Sequence, residues 1–297
     1  MSVIPLPPTD VAGETDAHPN LEVRRVRFVW DGVEVSWLPS DRIAGQVVNV
    51  IHLALPPGER WFVDTYRRAL PLVADERLRR EMKAFMGQEA VHARSHAGFV
   101  EHMDAAGYET APLVAMIDDI VARWSRLGRR VLGEARTLRM ELAVIAGIEH
   151  YTAVLGEWAL RTDLLDAADP RLADVLRWHG AEELEHKCVA FDVHLAVSGS
   201  YVGRVLGYAI ASAELARFWD RATGHLVARD PHLSSRRYRL AVVRSFLRGT
   251  LPGRELIGSL LGYLRPGFHP AERSTLGLTR AYLASSPAVA DLAERSA

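Results

Sequence analysis

WHGAEELEHK, residues 178–187, carries a Glu-x-x-His step formed by Glu183 and His186. A second step, Glu89 and His92, ends the stretch EMKAFMGQEAVH, residues 81–92. Both stretches have the composition and apolar spacing of helices. On an α-helix, residues i and i+3 share one face about one turn apart, so a Glu and a His at this spacing can reach the same metal ion.

A lone glutamate precedes each step at a similar distance. Glu59 lies 30 residues before Glu89, and Glu149 lies 34 residues before Glu183. Such an interval suits a helix, a short connection and a return along a neighbouring helix. A two-metal site inside a four-helix bundle would take six side chains from this pattern as ligands: Glu59, Glu89, His92, Glu149, Glu183 and His186. The alternatives are a solvated Glu–His face for either step and, for Glu59, a carboxylate favoured by a helix N-terminus.

Side chains next to these steps are further candidates. His179 lies one turn before Glu183 on the same face, so we predict it as an additional ligand; the alternative is a buried histidine bonded to a backbone carbonyl. Glu182 and His96 are the candidate catalytic residues outside the ligand set. Because metal-bound histidines usually donate their other ring N–H to a nearby acceptor, Glu182 and Gln88 are placed to receive such bonds across the bundle.

Two other glutamates compete with Glu149 for the ligand position on its helix. Glu141 and Glu157 each lie eight residues away, which rotates them by about 80° from the face of Glu149. Their intervals to Glu183 also fit a helical hairpin less well. We therefore assign Glu141 and Glu157 to ion pairs or to solvent.

Composition narrows the class of protein. The 297 residues are 48% hydrophobic, which permits a sizeable core in one domain with appendages. The net charge is −1 and no basic patch rises above this balance, so a nucleic-acid partner is not favoured. A single cysteine, Cys188, excludes an intrachain disulfide and favours the cytoplasm. No signal peptide and no transmembrane segment are expected.

The remaining pattern predicts a mainly α fold. Alternating apolar residues over 23–37, around Asp31-Gly32, predict a small β-hairpin. Helices are predicted over 41–55, 58–70, 75–106, 112–127, 130–161, 171–197, 201–229, 235–248 and 253–264, with Pro56-Pro57-Gly58 as a break or as a kink in one element over 41–70. We expect a disordered leader (1–22), a helical domain (23–265) and a loosely attached tail (266–297) containing one helix.

The ligand pattern resembles the ferritin-like dinuclear carboxylate superfamily. More closely, the blocks around Glu81–His92 and Trp178–Lys187 resemble a bacterial family described as predicted metal-dependent hydrolases, over about residues 25–265. The extra His179 is similar to the ligand pattern of enzymes of the p-aminobenzoate N-oxygenase type. This resemblance implies a ferritin-like four-helix bundle with extra C-terminal helices, iron as the metal and O2 as co-substrate. His96 stands where the ribonucleotide reductase small subunit has its radical tyrosine, which argues against a tyrosyl-radical role.

Three functions follow as expectations. The first is an enzyme with two Fe ions that activates O2 to oxidise a small organic substrate, with electrons from an external donor or from the substrate. The second is a hydrolase that uses a metal-bound hydroxide. The third is a non-enzymatic iron-binding protein. Mn/Fe, Mn or Zn are alternative metals, and a homodimer is left open.

Overall fold

The computed structural model describes residues 18–296, and this part of the chain is mainly helical. The α-helices are α1 (Arg42–Ala69), α2 (Glu76–Ala105), α3 (Ala111–Leu132), α4 (Glu134–Arg161), α5 (Pro170–His186), α6 (Val189–Val197), α7 (Tyr201–Arg229), α8 (Tyr238–Arg248), α9 (Gly253–Tyr263), α10 (Leu276–Leu283) and α11 (Pro287–Ser296). Helices α1 and α2 pack along each other, as do α4 and α5, and α7 packs along α4. The prediction of a mainly α chain is confirmed.

Helix α1 runs without interruption through Pro56 and Pro57, where the sequence predicted a break or a kinked single element. Asp41 caps its first turn by accepting a hydrogen bond from the Ala44 backbone N–H at 3.1 Å. Two prolines inside a helix remove two backbone donors and cost several kcal/mol in isolation. Burial on several sides offsets this cost, because both prolines and most of the neighbouring residues are inaccessible to solvent.

The helix predicted over 171–197 is divided in the structure. Helix α5 ends at His186, and α6 begins at Val189. At the division the Lys187 ammonium is buried and donates to the Thr275 hydroxyl at 2.8 Å and to the Arg273 carbonyl. This tertiary contact with the C-terminal segment has no local signal in the sequence.

The predicted β-hairpin is wrong: within residues 18–296 the segment before α1 forms turns and extended coil rather than strands. Asp31-Gly32 does form a turn, closed by a 3.0 Å bond from the Val33 N–H to the Trp30 carbonyl, with Gly32 at φ +76°. Most of the alternating apolar side chains are buried against helices, namely Val26, Trp30, Val33, Val35 and Trp37, whereas Val23 is exposed. Helix side chains also satisfy the backbone of this segment: Asn49 donates to the Val35 carbonyl at 2.9 Å, so no partner strand is needed.

The C-terminal segment contains two short helices, α10 and α11, where one loosely attached helix was expected. Asp174 of α5 accepts hydrogen bonds from the Tyr282 hydroxyl at 2.7 Å, the Ser286 hydroxyl at 2.8 Å and the Ala288 N–H at 2.9 Å. The leader predicted over 1–22 lies mostly outside the described residues, and the domain boundaries stay a prediction. Over residues 18–296 no helix combines the length and the apolar run needed to cross a bilayer.

Candidate metal centre

The helix pairs α1–α2 and α4–α5 bring all seven predicted ligand side chains into one buried cluster. Each of them is at most 5% exposed. Helix α1 supplies one glutamate, α2 a glutamate and a histidine, α4 one glutamate, and α5 two histidines and a glutamate. In chain order they are Glu59, Glu89, His92, Glu149, His179, Glu183 and His186.

The ligand atoms form two overlapping groups. One group contains Glu59, His92, His179 and Glu183, and within it the potential ligand atoms all lie within 4.8 Å of one another. The other contains Glu89, His92, Glu183 and His186 at the same mutual distance. Because Glu183 and His92 belong to both, the groups describe two adjacent cation positions. The cluster therefore fits a dinuclear metal site.

Glu149 lies at the edge of the second group. Its Oε2 atom is 3.8 Å from His186 Nδ1, and both of its carboxylate oxygens are buried without a hydrogen-bond partner. Glu59 and Glu89 are in the same condition, with both oxygens of each buried and unpaired. Buried carboxylates without donors are costly, so their convergence is itself evidence that these residues bind a cation.

The distances between ligand atoms also suit coordination. His186 Nδ1 lies 2.9 Å from Glu89 Oε1, yet neither atom makes a hydrogen bond. Two ligand atoms that are each about 2.1 Å from one metal ion and about 90° apart are separated by roughly 3 Å. The unbonded pair therefore has the spacing of neighbouring ligands.

Hydrogen bonds to the outer ring nitrogens fix the tautomers of two histidines. His92 Nε2 donates to Glu182 Oε2 at 2.8 Å, and His186 Nε2 donates to the Gln88 side-chain oxygen at 3.0 Å. Each bond crosses between α2 and α5, as the sequence suggested for Glu182 and Gln88. It leaves the Nδ1 lone pair of each ring facing the cluster, and both Nδ1 atoms lack a hydrogen-bond partner.

Arg24, in the segment before α1, connects these two contacts. Its guanidinium donates to Glu182 at 2.8 Å and to Glu185 at 3.1 Å and 3.2 Å. Glu185 in turn accepts from the Gln88 amide at 2.9 Å. Sequence reasoning missed Arg24 and Glu185, because no local pattern links a residue before the first helix to one 158 positions later.

A row of three imidazoles extends from the cluster on the α1 side. His179 Nε2 lies 2.6 Å from Glu183 Oε1, and its Nδ1 shares a 2.5 Å hydrogen bond with His96 Nε2. His96 Nδ1 shares a second one, 2.8 Å long, with His52 Nδ1. His96 therefore contacts a candidate ligand histidine, and its catalytic role stays a prediction. His52 was missed; its position seven residues before Glu59, on the same helix, was the available signal.

Burial is the main cause of the pKa shifts in the cluster. It raises the pKa values of Glu59, Glu89 and Glu149 well above the usual range, and the charge on Glu183 raises them further. Burial would also raise the pKa of Glu183, but its contacts with His179, His186 and His92 together outweigh this effect and hold that pKa at about 2. Burial lowers the pKa values of His92 and His186, which keeps them neutral and able to bind metal.

The two competing glutamates on α4 are paired elsewhere. Glu141 accepts from Ser125 at 2.6 Å and from Arg68 at 2.5 Å. Glu157 pairs with Arg161 at 3.0 Å and with Arg273 at 2.7 Å. Their assignment to ion pairs is correct.

A family model described as "Predicted metal-dependent hydrolase" matches residues 22–274. The chain belongs to this family. The matched region contains all seven cluster residues as well as Arg24 and His52, so the family's metal dependence and the buried cluster concern the same part of the molecule. Comparisons with curated proteins and with solved structures gave no match.

Proposed function

We propose that this protein is a diiron enzyme of the ferritin-like class that activates O2 to oxidise a small organic substrate. The observation that supports it is the pair of overlapping ligand groups, in which unpaired carboxylate oxygens and imidazole lone pairs converge in a buried space. Carboxylate oxygen together with imidazole nitrogen is a donor set that suits iron, and manganese similarly.

Each ion would have its own ligands and some shared ones. Glu59 and His179 would hold one ion, and Glu89, Glu149 and His186 would hold the other. His92 and Glu183 would be available to either ion, because both residues belong to both groups. When bound, the iron pair would supply the binding and reduction of O2, and the electrons would come from an external donor or from the substrate.

The protein's own contribution is orientation and exclusion of water. Glu182 and Gln88 hold the rings of His92 and His186 with Nδ1 toward the cluster. Arg24 fixes Glu182 and compensates its buried charge. A cavity of about 450 Å³ adjoins the cluster and is lined mainly by aliphatic and aromatic side chains, so an organic substrate could reach the metals with little accompanying water.

Hydrolysis is the second candidate, and the family description favours it. Two metal ions can lower the pKa of a bound water and clamp an ester or phosphate. The apolar lining next to the cluster supports oxidation instead, because a phosphate or another charged substrate would lose its hydration there without gaining donors.

Non-enzymatic iron binding is the third candidate. We place the protein in the cytoplasm, where iron and reductants are available.

Metal analysis and spectroscopy test the proposal together. Protein from iron-supplemented cells should contain about two Fe per chain, and its Fe(II) form should develop a visible absorption band on exposure to O2. Glu183→Ala and His186→Ala should abolish metal loading. Glu141→Gln is the matched control, because it alters a buried glutamate that is engaged by Ser125 and Arg68 and should retain both ions.

Each alternative gives a different result. Colourless protein loaded with zinc that turns over esters or phosphates would replace oxidation by hydrolysis. Iron uptake far beyond two ions per chain would indicate storage. Normal metal content in both the Glu183→Ala and the His186→Ala variant would refute the metal centre itself.

A further inference from the structure

The cavity beside the cluster is long, and α3 covers it. The lining positions on α3 extend from Ile117 to Leu132, a length of about 22 Å at the rise of an α-helix. Three of them, Trp124, Leu127 and Val131, are also 42%, 49% and 67% exposed, so parts of α3 contact both the cavity and solvent. At its inner end the lining includes the carboxylates of the cluster.

Polar groups along the wall are mostly engaged with each other. Glu141 is held by Ser125 and Arg68. Glu214 accepts from the Trp124 indole N–H at 3.0 Å through Oε1. Two wall atoms away from the cluster, Glu214 Oε2 and Trp61 Nε1, have no hydrogen-bond partner. A bound molecule would therefore meet aliphatic and aromatic surface over most of its length and find unpaired polar atoms mainly at the metal end.

We propose that the substrate is an extended aliphatic chain that lies along α3 with the bond to be changed next to the cluster. This inference rests on the proposed function for its chemistry, but chain binding itself does not require metal. A compact polar substrate would leave most of the apolar lining wet. An extended chain buries it, and each buried methylene contributes about 0.8 kcal/mol, or roughly a fourfold gain in affinity.

Competition between n-alkanols of increasing length and an apolar fluorescent dye tests whether the cavity binds an aliphatic chain. Affinity should rise about fourfold per methylene and then level off when the chain fills the cavity. Val121→Trp narrows the cavity and should move this plateau to shorter alkanols. Val114→Trp is the matched control on the same helix, because Val114 is half-buried but does not line the cavity.

Measuring both metal-free and metal-loaded protein separates the two proposals. Chain-length dependence in a protein that never binds metal would uphold the cavity and refute the diiron function. Metal loading without chain-length dependence would refute the aliphatic substrate alone, and so would a plateau that Val121→Trp leaves unchanged.

A second surface is apolar and basic at once. Residues 236–265 contain seven arginines and one acidic residue, so the prediction that no basic patch rises above the near-neutral net charge is wrong for this segment. All seven arginines are exposed. Between them, α8 and α9 expose an apolar stripe that includes Val243 at 51%, Leu247 at 82%, Ile257 at 63% and Leu261 at 67%.

The faces of α8 and α9 opposite the apolar stripe pack against the rest of the protein, so the stripe faces solvent. The Ser245 hydroxyl donates to Asp41 at 2.6 Å, and Tyr263 is fully buried. On α8 the arginines border the apolar stripe, because Arg244 and Arg248 lie one position after Val243 and Leu247, and on α9 the single arginine, Arg254, lies one turn before Ile257. An apolar stripe bordered by arginines is the pattern of a helix that lies in a membrane interface.

We infer that α8 and α9 bind the surface of an anionic lipid bilayer. Charge decides between this and a second copy of the chain, because two copies packed through this face would bring their arginines together, whereas anionic headgroups neutralise them. Arg239 and Arg265 already pair with Asp220 and Glu272, so the repulsion between copies comes from the other five arginines. The apolar stripe would enter the boundary between headgroups and acyl chains.

Vesicle co-sedimentation tests this surface. The protein should bind phosphatidylcholine vesicles that contain phosphatidylserine and should bind pure phosphatidylcholine much more weakly. Arg244→Gln with Arg248→Gln should weaken binding roughly 30-fold, at about 1 kcal/mol per arginine. Leu247→Glu should abolish it, whereas Leu72→Glu, which is 57% exposed elsewhere, should not. Self-association that Leu247→Glu disrupts, without any vesicle binding, would overturn the inference.

Discussion

Gly180→Ala should disrupt the metal centre through the backbone. Gly180 of α5 faces Gly156 of α4, and a Cβ at Gly180 would lie 2.7 Å from the Gly156 Cα and 3.1 Å from its carbonyl oxygen. Carbon atoms in contact normally stay about 3.5–4.0 Å apart, so the two helices must separate by roughly 1 Å. Overpacking of this kind typically costs about 1–3 kcal/mol.

The consequence for metal binding should exceed the consequence for stability. Ligand distances tolerate only about 0.2 Å, and Gly180 directly follows His179 on a helix that also carries Glu183 and His186, opposite Glu149 on α4. We therefore expect Gly180→Ala to lose metal while it remains folded. Elemental analysis gives the metal content, and circular dichroism gives Tm, which should fall by a few degrees.

Two other glycines provide controls. Gly207→Ala would create a similar clash between Ala143 of α4 and α7, a helix that carries no candidate ligand, with a Cβ–Cβ distance of 2.6 Å. It should lower Tm without releasing metal. Gly258→Ala meets open space and should be neutral or slightly stabilising. If Gly180→Ala retained both metal ions, the role of the close contact between α4 and α5 would be refuted.

Arg24→Gln should leave the carboxylates of Glu182 and Glu185 buried and uncompensated. Chemical denaturation should show a free energy of unfolding lower by about 3–5 kcal/mol, and a metal titration should show an affinity lower by about 10–100-fold. Wild-type values in both measurements would contradict a role for Arg24 in supporting the cluster. Glu149→Gln should raise Tm of the metal-free protein near neutral pH. Because the folded-state pKa of Glu149 is raised, the wild-type protein is most stable below about pH 4.3, where this carboxyl is protonated in both states, and loses that stability as pH rises. The difference in Tm between Glu149→Gln and wild type should therefore vanish toward about pH 4. A gain that is independent of pH would count against the raised pKa. Asp174→Ala removes the acceptor of three hydrogen bonds from the C-terminal segment and should cost about 2 kcal/mol or more while making that segment the first site of limited proteolysis; unchanged cleavage would show that other contacts hold it.

Periodicity and spacing in the sequence were sufficient to predict which helices carry the candidate ligands. A helix has a fixed repeat, so Glu89-x-x-His92 and Glu183-x-x-His186 had to present both side chains on one face once they were helical. The intervals back to Glu59 and Glu149 then selected the partner helices. His179 follows the same rule, and it lies beside Glu183 in the structure.

Tertiary structure decided what local spacing does not encode. Arg24 reaches Glu182 because the segment before α1 lies over α2 and α5 as coil, whose carbonyls accept bonds from helix side chains. Pro56 and Pro57 remain helical because burial outweighs the lost donors. In each case, contacts between residues distant in sequence overcome a local preference worth only a few kcal/mol.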